Sequence, residues 1–168
     1  VLMLGGLGLV LEPMASTLLE LLSSLRPQTL VLLDPNCRAP AIHDLAAYRG
    51  VIADVYNRAD LVKLSVDDLA VLDPDRSPST AARAILQSGP RAVLVTDGPA
   101  PVAIHTVEAE LEVPVPSVKV VDTVGSGDAF AAAFLTWWSS RAHSRQELAN
   151  ADLLHAAVAA AVEVSALT

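Results

Sequence analysis

A run of three small residues carries the clearest chemical pattern in the sequence. Gly125, Ser126 and Gly127 end an extended stretch and open a predicted helix. Small side chains let successive backbone N–H groups converge on one point, and the first turn of a helix adds unpaired amide donors and a positive dipole end. The segment therefore predicts an anion hole suited to the negative charge that develops on a transferring phosphoryl group.

Asp128 follows this run and falls in the first turn of the predicted helix. The positive end of the helix dipole favours a negatively charged carboxylate at this position. An ionised carboxylate can accept a proton from a hydroxyl nucleophile, so Asp128 is predicted to be a general base. The alternative is an ordinary helix N-terminus, at which Asp128 only complements the dipole.

The elements that must position these residues begin with apolar runs typical of buried strands. The runs lie at residues 1–6, 30–34, 59–65 and 91–98, and they are continuous rather than alternating. Continuous hydrophobicity indicates that helices cover both faces of a mostly parallel sheet. We therefore expect residues 1–168 to form a single α/β domain, with a doubly wound, mostly parallel sheet and helices on both faces.

Polar segments stand directly at the ends of the predicted strands, at 34–36, 63–65, 96–98 and 122–123. Ligands of open α/β sheets bind beyond the carboxyl ends of the strands. The polar segments are therefore expected to converge on one ligand site, next to the helix that begins near Gly127.

The remaining elements are predicted from helix caps and breaker residues. Thr17 and Glu20 have capping-box spacing, Ser77 precedes a proline suited to the first helical position, and Gly89 would end that helix. Helices are predicted at 17–25, 44–58, 77–89, 127–142 and 146–167. Residues 102–107 and 110–121 alternate in polarity and include two prolines, which indicates edge strands or a hairpin.

Composition excludes several other classes of protein. The 168 residues are 52% hydrophobic and 18% charged, with a mean hydropathy of +0.46, which is too apolar for a disordered chain. A net charge of −8 argues against non-specific nucleic-acid binding. The apolar runs at 1–11 and 129–138 are shorter than the ~20 residues that a membrane-spanning helix needs. The single cysteine, Cys37, excludes an internal disulfide and a cysteine-built zinc site, which is typical of the cytoplasm. Together these features predict a cytoplasmic protein that binds neither nucleic acid nor membranes.

Four segments together resemble a known family. Residues 122–130 read DTVGSGDAF and resemble the signature D-T-x-G-A-G-D-x-F of the ribokinase-like sugar kinases, the PfkB carbohydrate kinases. Ser126 alone departs from that signature, standing for the usual alanine. Three further segments are similar to family motifs in family order: DPNCR at 34–38 to the D-P-N-x-R turn of fructokinase-like members, KLSVDD at 63–68 to K-x-N-x-x-E, and VTDG at 95–98 to V-T-x-G.

The resemblance implies phosphoryl transfer from ATP, with Mg²⁺ bridging the ATP phosphates. Asp128 would take the proton from a sugar hydroxyl, and the backbone amides of Gly125, Ser126, Gly127 and Asp128 would hold the transferred charge. The residues implied to hold the nucleotide and its Mg²⁺ are Lys63, Ser65, Asp68, Thr96 and Gly98. The residues implied to bind the sugar are Asp34, Asn36 and Arg38.

Two of these implied roles have ordinary structural alternatives. By the resemblance, Asp122 and the carbonyl of Val124 would bind a monovalent cation, typically K⁺, but an aspartate at a tight turn is also a common hydrogen-bonded turn former. Arg38 would lie near transferred phosphate or an acidic sugar, but it could instead form a surface ion pair of small energetic value.

The sequence departs from the family pattern in two loops. Ser65 and Asp68 stand where the family has Asn and Glu to organise Mg²⁺, water and phosphate, and their spacing is also that of a helix capping box. Pro101 stands in place of the second glycine of the nucleotide-side loop, where it removes a backbone N–H and fixes φ.

The sequence begins with Val1, already inside a predicted strand, and ends directly after an apolar helix, so we expect it to be part of a longer protein. Family members carry a further N-terminal half with most sugar-binding residues and a small β lid, which we expect this chain to lack. The leading hypothesis is an ATP-dependent kinase of a small monosaccharide or sugar acid, with ATP and the sugar as partners and a homodimer as the candidate assembly. A nucleoside kinase of the same fold and a catalytically weakened, ligand-sensing member are the alternatives.

Overall fold

Strands and helices alternate along the chain, as predicted. The computed structural model describes residues 1–118 and 124–167. The strands are β1 (Leu2–Gly5), β2 (Val31–Asp34), β3 (Leu61–Ser65), β4 (Ala92–Thr96), β5 (Val102–Thr106) and β6 (Glu110–Val113). The α-helices are α1 (Met14–Ser24), α2 (Leu45–Tyr56), α3 (Val66–Leu72), α4 (Pro78–Gln87), α5 (Ser126–Ser140) and α6 (Ala151–Ser165).

The strands of the described residues form one sheet in the order β1-β2-β3-β4-β5-β6. Strands β1 to β4 are parallel, and β5 and β6 continue the sheet as an antiparallel hairpin. This confirms the hairpin predicted from residues 102–107 and 110–121, although β6 already ends at Val113 and residues 119–121 lie outside the described residues. Because β2, β3 and β4 are parallel, their last residues, Asp34, Ser65 and Thr96, lie at the same edge of the sheet.

Two apolar cores lie on opposite faces of the sheet. The first core packs helices α1 to α4 against alternate strand residues such as Val31 and Leu33. The second core packs α5 and α6, including Phe134, against the intervening residues such as Leu32 and Leu61. Because successive strand residues point to opposite faces, this double burial confirms that helices cover both faces and explains why the strands are apolar without alternation.

The predicted start of the first helix is wrong. Helix α1 begins at Met14 rather than Thr17, with Pro13 at its N-cap position. The Thr17 hydroxyl does not cap the helix; it donates to the carbonyl of Pro13, at 2.9 Å, one turn back along the chain. A threonine inside a helix commonly forms this bond, so the capping-box spacing alone did not mark the helix start.

The predicted start of the last helix is also wrong. Residues Arg145–Ala149 form a separate 3₁₀ turn, and α6 begins at Ala151 instead of residue 146. The Asn150 side chain caps α6 by accepting hydrogen bonds from the amides of Asp152 and Leu153, at 3.0 and 3.1 Å. By contrast, Ser77 caps α4, with Pro78 as its first residue, as predicted. Across the described ranges, we find no helix with the length and hydropathy to cross a membrane.

Candidate active site

The N-terminus of α5 meets the carboxyl edge of the parallel strands. Gly125 occupies the N-cap position with φ of 88°, a left-handed conformation that side chains other than glycine's disfavour. The helix then begins at Ser126, so that Asp128 lies in its first turn, as predicted. A side chain on Gly127 would place its Cβ 3.2 Å from the Nζ atom of Lys63. The start of α5 and the Lys63 ammonium are therefore in direct contact.

Lys63 forms a buried ion pair with Asp34 on the neighbouring strand. Its Nζ atom donates to Asp34 Oδ2 at 2.9 Å, and the two side chains are only 8% and 2% exposed. Burial raises the pKa of the Asp34 carboxyl, the Lys63 charge opposes that rise, and the charges of Asp68 and Asp128 add to it. These four charged side chains therefore share one electrostatic environment at the strand edge.

Asp68 joins the turn after β2 to the turn after β3. One carboxylate oxygen accepts a hydrogen bond from the Cys37 amide at 2.6 Å, and the other accepts from the amide and hydroxyl of Ser65 at 2.8 and 2.7 Å. The Ser65 hydroxyl in turn accepts from the Asp68 amide at 3.0 Å. This confirms the capping-box interpretation at the start of α3, and a role for Ser65 and Asp68 in holding a nucleotide or Mg²⁺ stays a prediction.

Asp128 is exposed at the start of α5. Within residues 1–118 and 124–167 its carboxylate accepts no hydrogen bond, and it is close enough to Asp34 for the two charges to interact. An exposed carboxylate beside a helix N-terminus and a buried ammonium is accessible to a substrate hydroxyl. The general-base role of Asp128 stays a prediction.

The other predicted contact residues surround the same edge. Asn36 has a positive φ of 42° in the turn after β2, and Arg38 is exposed two residues later. Within residues 1–118 and 124–167, Arg38 has no carboxylate within ion-pairing distance, so the surface ion pair that was its alternative is not formed there. Thr96 donates to the carbonyl of Leu64 at 3.3 Å, and Gly98 adopts φ of 49° in the exposed turn that leads to Pro101.

The predicted K⁺ site lies mostly outside the described residues, because Asp122 falls between residues 118 and 124. Val124, whose carbonyl was the second predicted ligand, is 82% exposed. Among the described residues, no three His, Cys, Asp or Glu side chains come together in a way that could hold a metal ion. The cation site stays a prediction.

Sequence reasoning placed Asp34 and Lys63 in different roles and missed that they pair. The signal was available, since Lys63 is the one charged residue within the apolar strand β3 and Asp34 ends the apolar strand β2. A charge inside a strand buried on both faces needs a partner, and here the neighbouring strand β2 supplies it.

Cys37 offers a test of how tightly the turn after β2 is packed. Burial raises the pKa of its thiol to about 12, with the Tyr48 hydroxyl 3.7 Å from the sulfur. Because the thiolate is the reactive form, iodoacetamide at pH 8 is expected to alkylate Cys37 roughly a hundredfold or more slowly than it alkylates the urea-unfolded chain. Mass spectrometry of timed samples measures both rates, and equal rates would show that this turn is open.

Comparisons with known proteins agree with this geometry. Among curated proteins, the fructokinase of Rhizobium leguminosarum bv. trifolii is 31% identical over 131 residues, which is 78% of this chain and 40% of that protein. The structure of aminoimidazole riboside kinase from Salmonella enterica, complexed with aminoimidazole riboside and an ATP analogue, matches with a TM-score of 0.86 at 28% identity, over 98% of this chain and 54% of that one. Fructokinase from Vibrio cholerae O395, with fructose, ADP and calcium bound, matches with a TM-score of 0.87 at 25% identity, over 98% of this chain and 53% of that one.

The chain thus spans about two fifths of the curated relative and about half of each solved structure. The family described as pfkB family carbohydrate kinase matches residues 1–168, the whole of the sequence. The fold, the contact between α5 and the strand edge, and this match lead to one conclusion: the chain belongs to the pfkB family of carbohydrate kinases.

Proposed function

We propose that the protein carrying this chain is an ATP-dependent sugar kinase, which transfers the γ-phosphoryl group to a hydroxyl of a small monosaccharide or sugar acid. Fructose is the first candidate acceptor, because the relative from Rhizobium is a fructokinase and the turn at 34–38 has the D-P-N-x-R pattern. The observation that carries the proposal is the start of α5, where a glycine-containing helix N-terminus lies against a buried lysine and beside an exposed aspartate.

The start of α5 is suited to a phosphoryl group for two physical reasons. The amides in the first turn of a helix have no acceptor within the helix, and its dipole is positive there. Lys63 adds a full positive charge, 3.2 Å from where a Gly127 Cβ would lie. Together they would stabilise the negative charge that develops on the equatorial oxygens during transfer.

Asp128 would complete the reaction as general base. The substrate hydroxyl gives its proton to the Asp128 carboxylate while its oxygen forms a bond to the γ-phosphorus, and the bond from that phosphorus to the bridging oxygen breaks to release ADP. Mg²⁺ would neutralise the phosphate charges. The ion would be held largely by the nucleotide phosphates and one or two carboxylates, as Mg²⁺ commonly is.

A riboside kinase is the second candidate. The Salmonella neighbour binds aminoimidazole riboside and is 28% identical to this chain, slightly above the 25% of the Vibrio fructokinase. A ligand-sensing member is the third candidate, and it is motivated by Ser65 and Asp68 forming a capping box with each other. The start of α5, which retains both the aspartate and the glycines, favours an active kinase over a sensor.

The deciding experiment measures ADP release from MgATP by the full-length protein that carries this chain. Fructose, ribose, 2-keto-3-deoxygluconate, adenosine and aminoimidazole riboside serve as acceptors. We expect turnover on one sugar, with fructose the first candidate. Turnover on a riboside alone would transfer the assignment to the second candidate, and bound ATP without turnover on any acceptor would contradict the kinase proposal.

The close approach of Lys63 to Gly127 gives a prediction for the phosphate site. In Gly127→Val, the new side chain would push the ammonium away and cover the helix start. Affinity for the ATP analogue AMP-PNP is expected to fall roughly 10–100-fold, which corresponds to losing one charge-assisted hydrogen bond of about 1.5–3 kcal/mol. Isothermal titration calorimetry measures this loss.

The matched control is Gly50→Val in the middle of α2, where an added Cβ meets no atom within 4 Å. It introduces the same β-branched residue into a helix without approaching the strand edge. AMP-PNP affinity equal to wild type in both variants would remove the start of α5 from the phosphate site.

A further inference from the structure

We infer that Asp34 is a positioning residue for phosphoryl transfer, whose carboxylate holds the Lys63 ammonium against the start of α5, and that it does not bind the sugar. The inference rests on the proposed function, because it assigns a role within the same site. It also changes the role that the family resemblance implied for Asp34, which was a sugar contact.

Strand register brings the two side chains together. Leu33 pairs with Val62 in the parallel ladder of β2 and β3, so Asp34 and Lys63 are the next residues along it. They alternate with residues of the first core and follow Leu32 and Leu61 of the second core, which places them on the face covered by α5. On that face Lys63 contacts Asp34 on one side and Gly127 on the other.

Burial separates the roles of the two residues. Asp34 is 2% exposed, and its Oδ1 atom is fully buried without a hydrogen-bond partner in the described part of the chain. A sugar hydroxyl could not reach that carboxylate without moving the structure around it. Lys63 Nζ, in contrast, uses one of its three N–H groups for Asp34 and lies at the helix start, where a phosphate oxygen could accept another.

The local charges explain why Lys63 needs to be held in place. Asp68 and Asp128 both act on Asp34 electrostatically, so two further negative charges lie near the ion pair and compete with Asp34 for the Lys63 ammonium. A buried ion pair is a weak source of stability, because desolvation of the two charges offsets their attraction. The pair is therefore better explained by its effect on the site, where it fixes the position of a positive charge, than by its contribution to folding stability.

The test is a double-mutant cycle with Asp34→Asn, Lys63→Met and the double variant, assayed with MgATP and the acceptor that wild type phosphorylates. We expect Asp34→Asn to lower kcat roughly 10–100-fold, because Lys63 is no longer held, and to leave the sugar KM within about twofold. In the Lys63→Met background the same change should have no further effect on kcat. Asp67→Asn is the control, since it removes one exposed negative charge from the first turn of α3 at the same edge.

Folding is followed separately by thermal unfolding. Lys63→Met leaves the Asp34 carboxylate buried and unpaired, so its Tm is expected to fall by on the order of 10 °C. The double variant removes both charges and should recover most of that loss. This recovery shows that any residual loss of kcat in the double variant is not a failure to fold.

Two results would overturn the inference. One is a tenfold or greater rise in sugar KM for Asp34→Asn with kcat unchanged, which would make Asp34 a sugar ligand. The other is multiplication of the two kcat losses in the double variant, which would make the residues independent.

The same four proteins are also titrated with AMP-PNP and Mg²⁺, so that the inference and the kinase proposal can fail separately. If no acceptor is phosphorylated but Asp34→Asn weakens AMP-PNP binding only while Lys63 is present, the kinase proposal fails, and the part of the inference that stands is that Asp34 holds Lys63 at the phosphate site. If Asp34→Asn weakens AMP-PNP binding equally with and without Lys63, the inference fails as well. Absence of AMP-PNP binding by wild type would overturn both.

Discussion

Asp128→Asn is expected to lower kcat by on the order of 10²–10⁴, the usual contribution of a positioned general base. Asparagine has nearly the same shape as aspartate and can still accept a hydrogen bond from a substrate hydroxyl, but it cannot take the proton. Substrate binding should therefore persist while transfer becomes slow. Steady-state ADP release, with AMP-PNP affinity measured in parallel, separates the two.

The effect of this change on folding should be small. Asp128 is exposed and lies in the first turn of a helix, where a negative charge contributes about 0.3–1 kcal/mol through the dipole. Asp152→Asn is the matched control, because Asp152 occupies the first turn of α6 and is also exposed. Helices α5 and α6 are each 15 residues long. Both variants should lose similar stability, but only Asp128→Asn should lose turnover.

Unchanged turnover in Asp128→Asn would contradict the general-base role. It would leave the exposed carboxylate as a dipole partner, the alternative that the sequence had left open. A fall in turnover of equal size in Asp152→Asn would show that general loss of helix stability, rather than a lost base, accounts for the result.

Features set by local sequence could be predicted. Continuous apolar strands such as 61–65 require cover on both faces, and the structure has helices on both. The α5 start was predicted within a residue from the run of small residues at 125–127, and the structure shows that Gly125 is its left-handed N-cap. Residue spacing also placed Asp34, Lys63 and Thr96 near one another, since parallel strands end at the same edge.

Features set by tertiary contacts could not be predicted. Asp34 and Lys63 are 29 residues apart, and a motif that gives each a separate ligand says nothing of their pairing. The Cys37 amide reaches Asp68 across 31 residues, so the capping box was visible in the sequence but its link to the neighbouring turn was not. Arg145, in the 3₁₀ turn that precedes α6, likewise reaches a carboxylate 85 residues earlier, a contact that nothing in the local sequence indicates.

That carboxylate belongs to Asp60, which lies just before β3 and is 1% exposed. One of its oxygens accepts hydrogen bonds from the Val31 amide at 2.9 Å and the Arg58 guanidinium at 3.3 Å. The other accepts from Arg145 Nε at 2.7 Å, and Arg145 also donates to the carbonyl of Pro27. Asp60 therefore joins the beginnings of β2 and β3 to the connection between α5 and α6, at the edge of the sheet opposite the candidate active site.

Asp60→Ala is expected to lower the free energy of unfolding by about 3 kcal/mol, near the lower end of the range for breaking a buried ion pair. The change leaves the fully buried Val31 amide without an acceptor, and it leaves two guanidiniums without their counter-charge. The side chains of Arg58 and Arg145 are 24% and 23% exposed, so water can compensate them in part, which is why the upper end of the range is not expected. Urea unfolding followed by circular dichroism measures the loss as a lower midpoint at unchanged slope.

Asp73→Ala is the matched control, because Asp73 also pairs with an arginine, at 2.6 Å, but that arginine, Arg76, is exposed and the Asp73 carboxylate is only part-buried, at 29% exposure against 1% for Asp60. Surface pairs of this kind contribute less than about 1 kcal/mol. If Asp60→Ala lost no more stability than Asp73→Ala, the cost of burying the Asp60 carboxylate would cancel its contacts. The connection between α5 and α6 would then be held mainly by the apolar packing of the second core, in which Leu148 is fully buried.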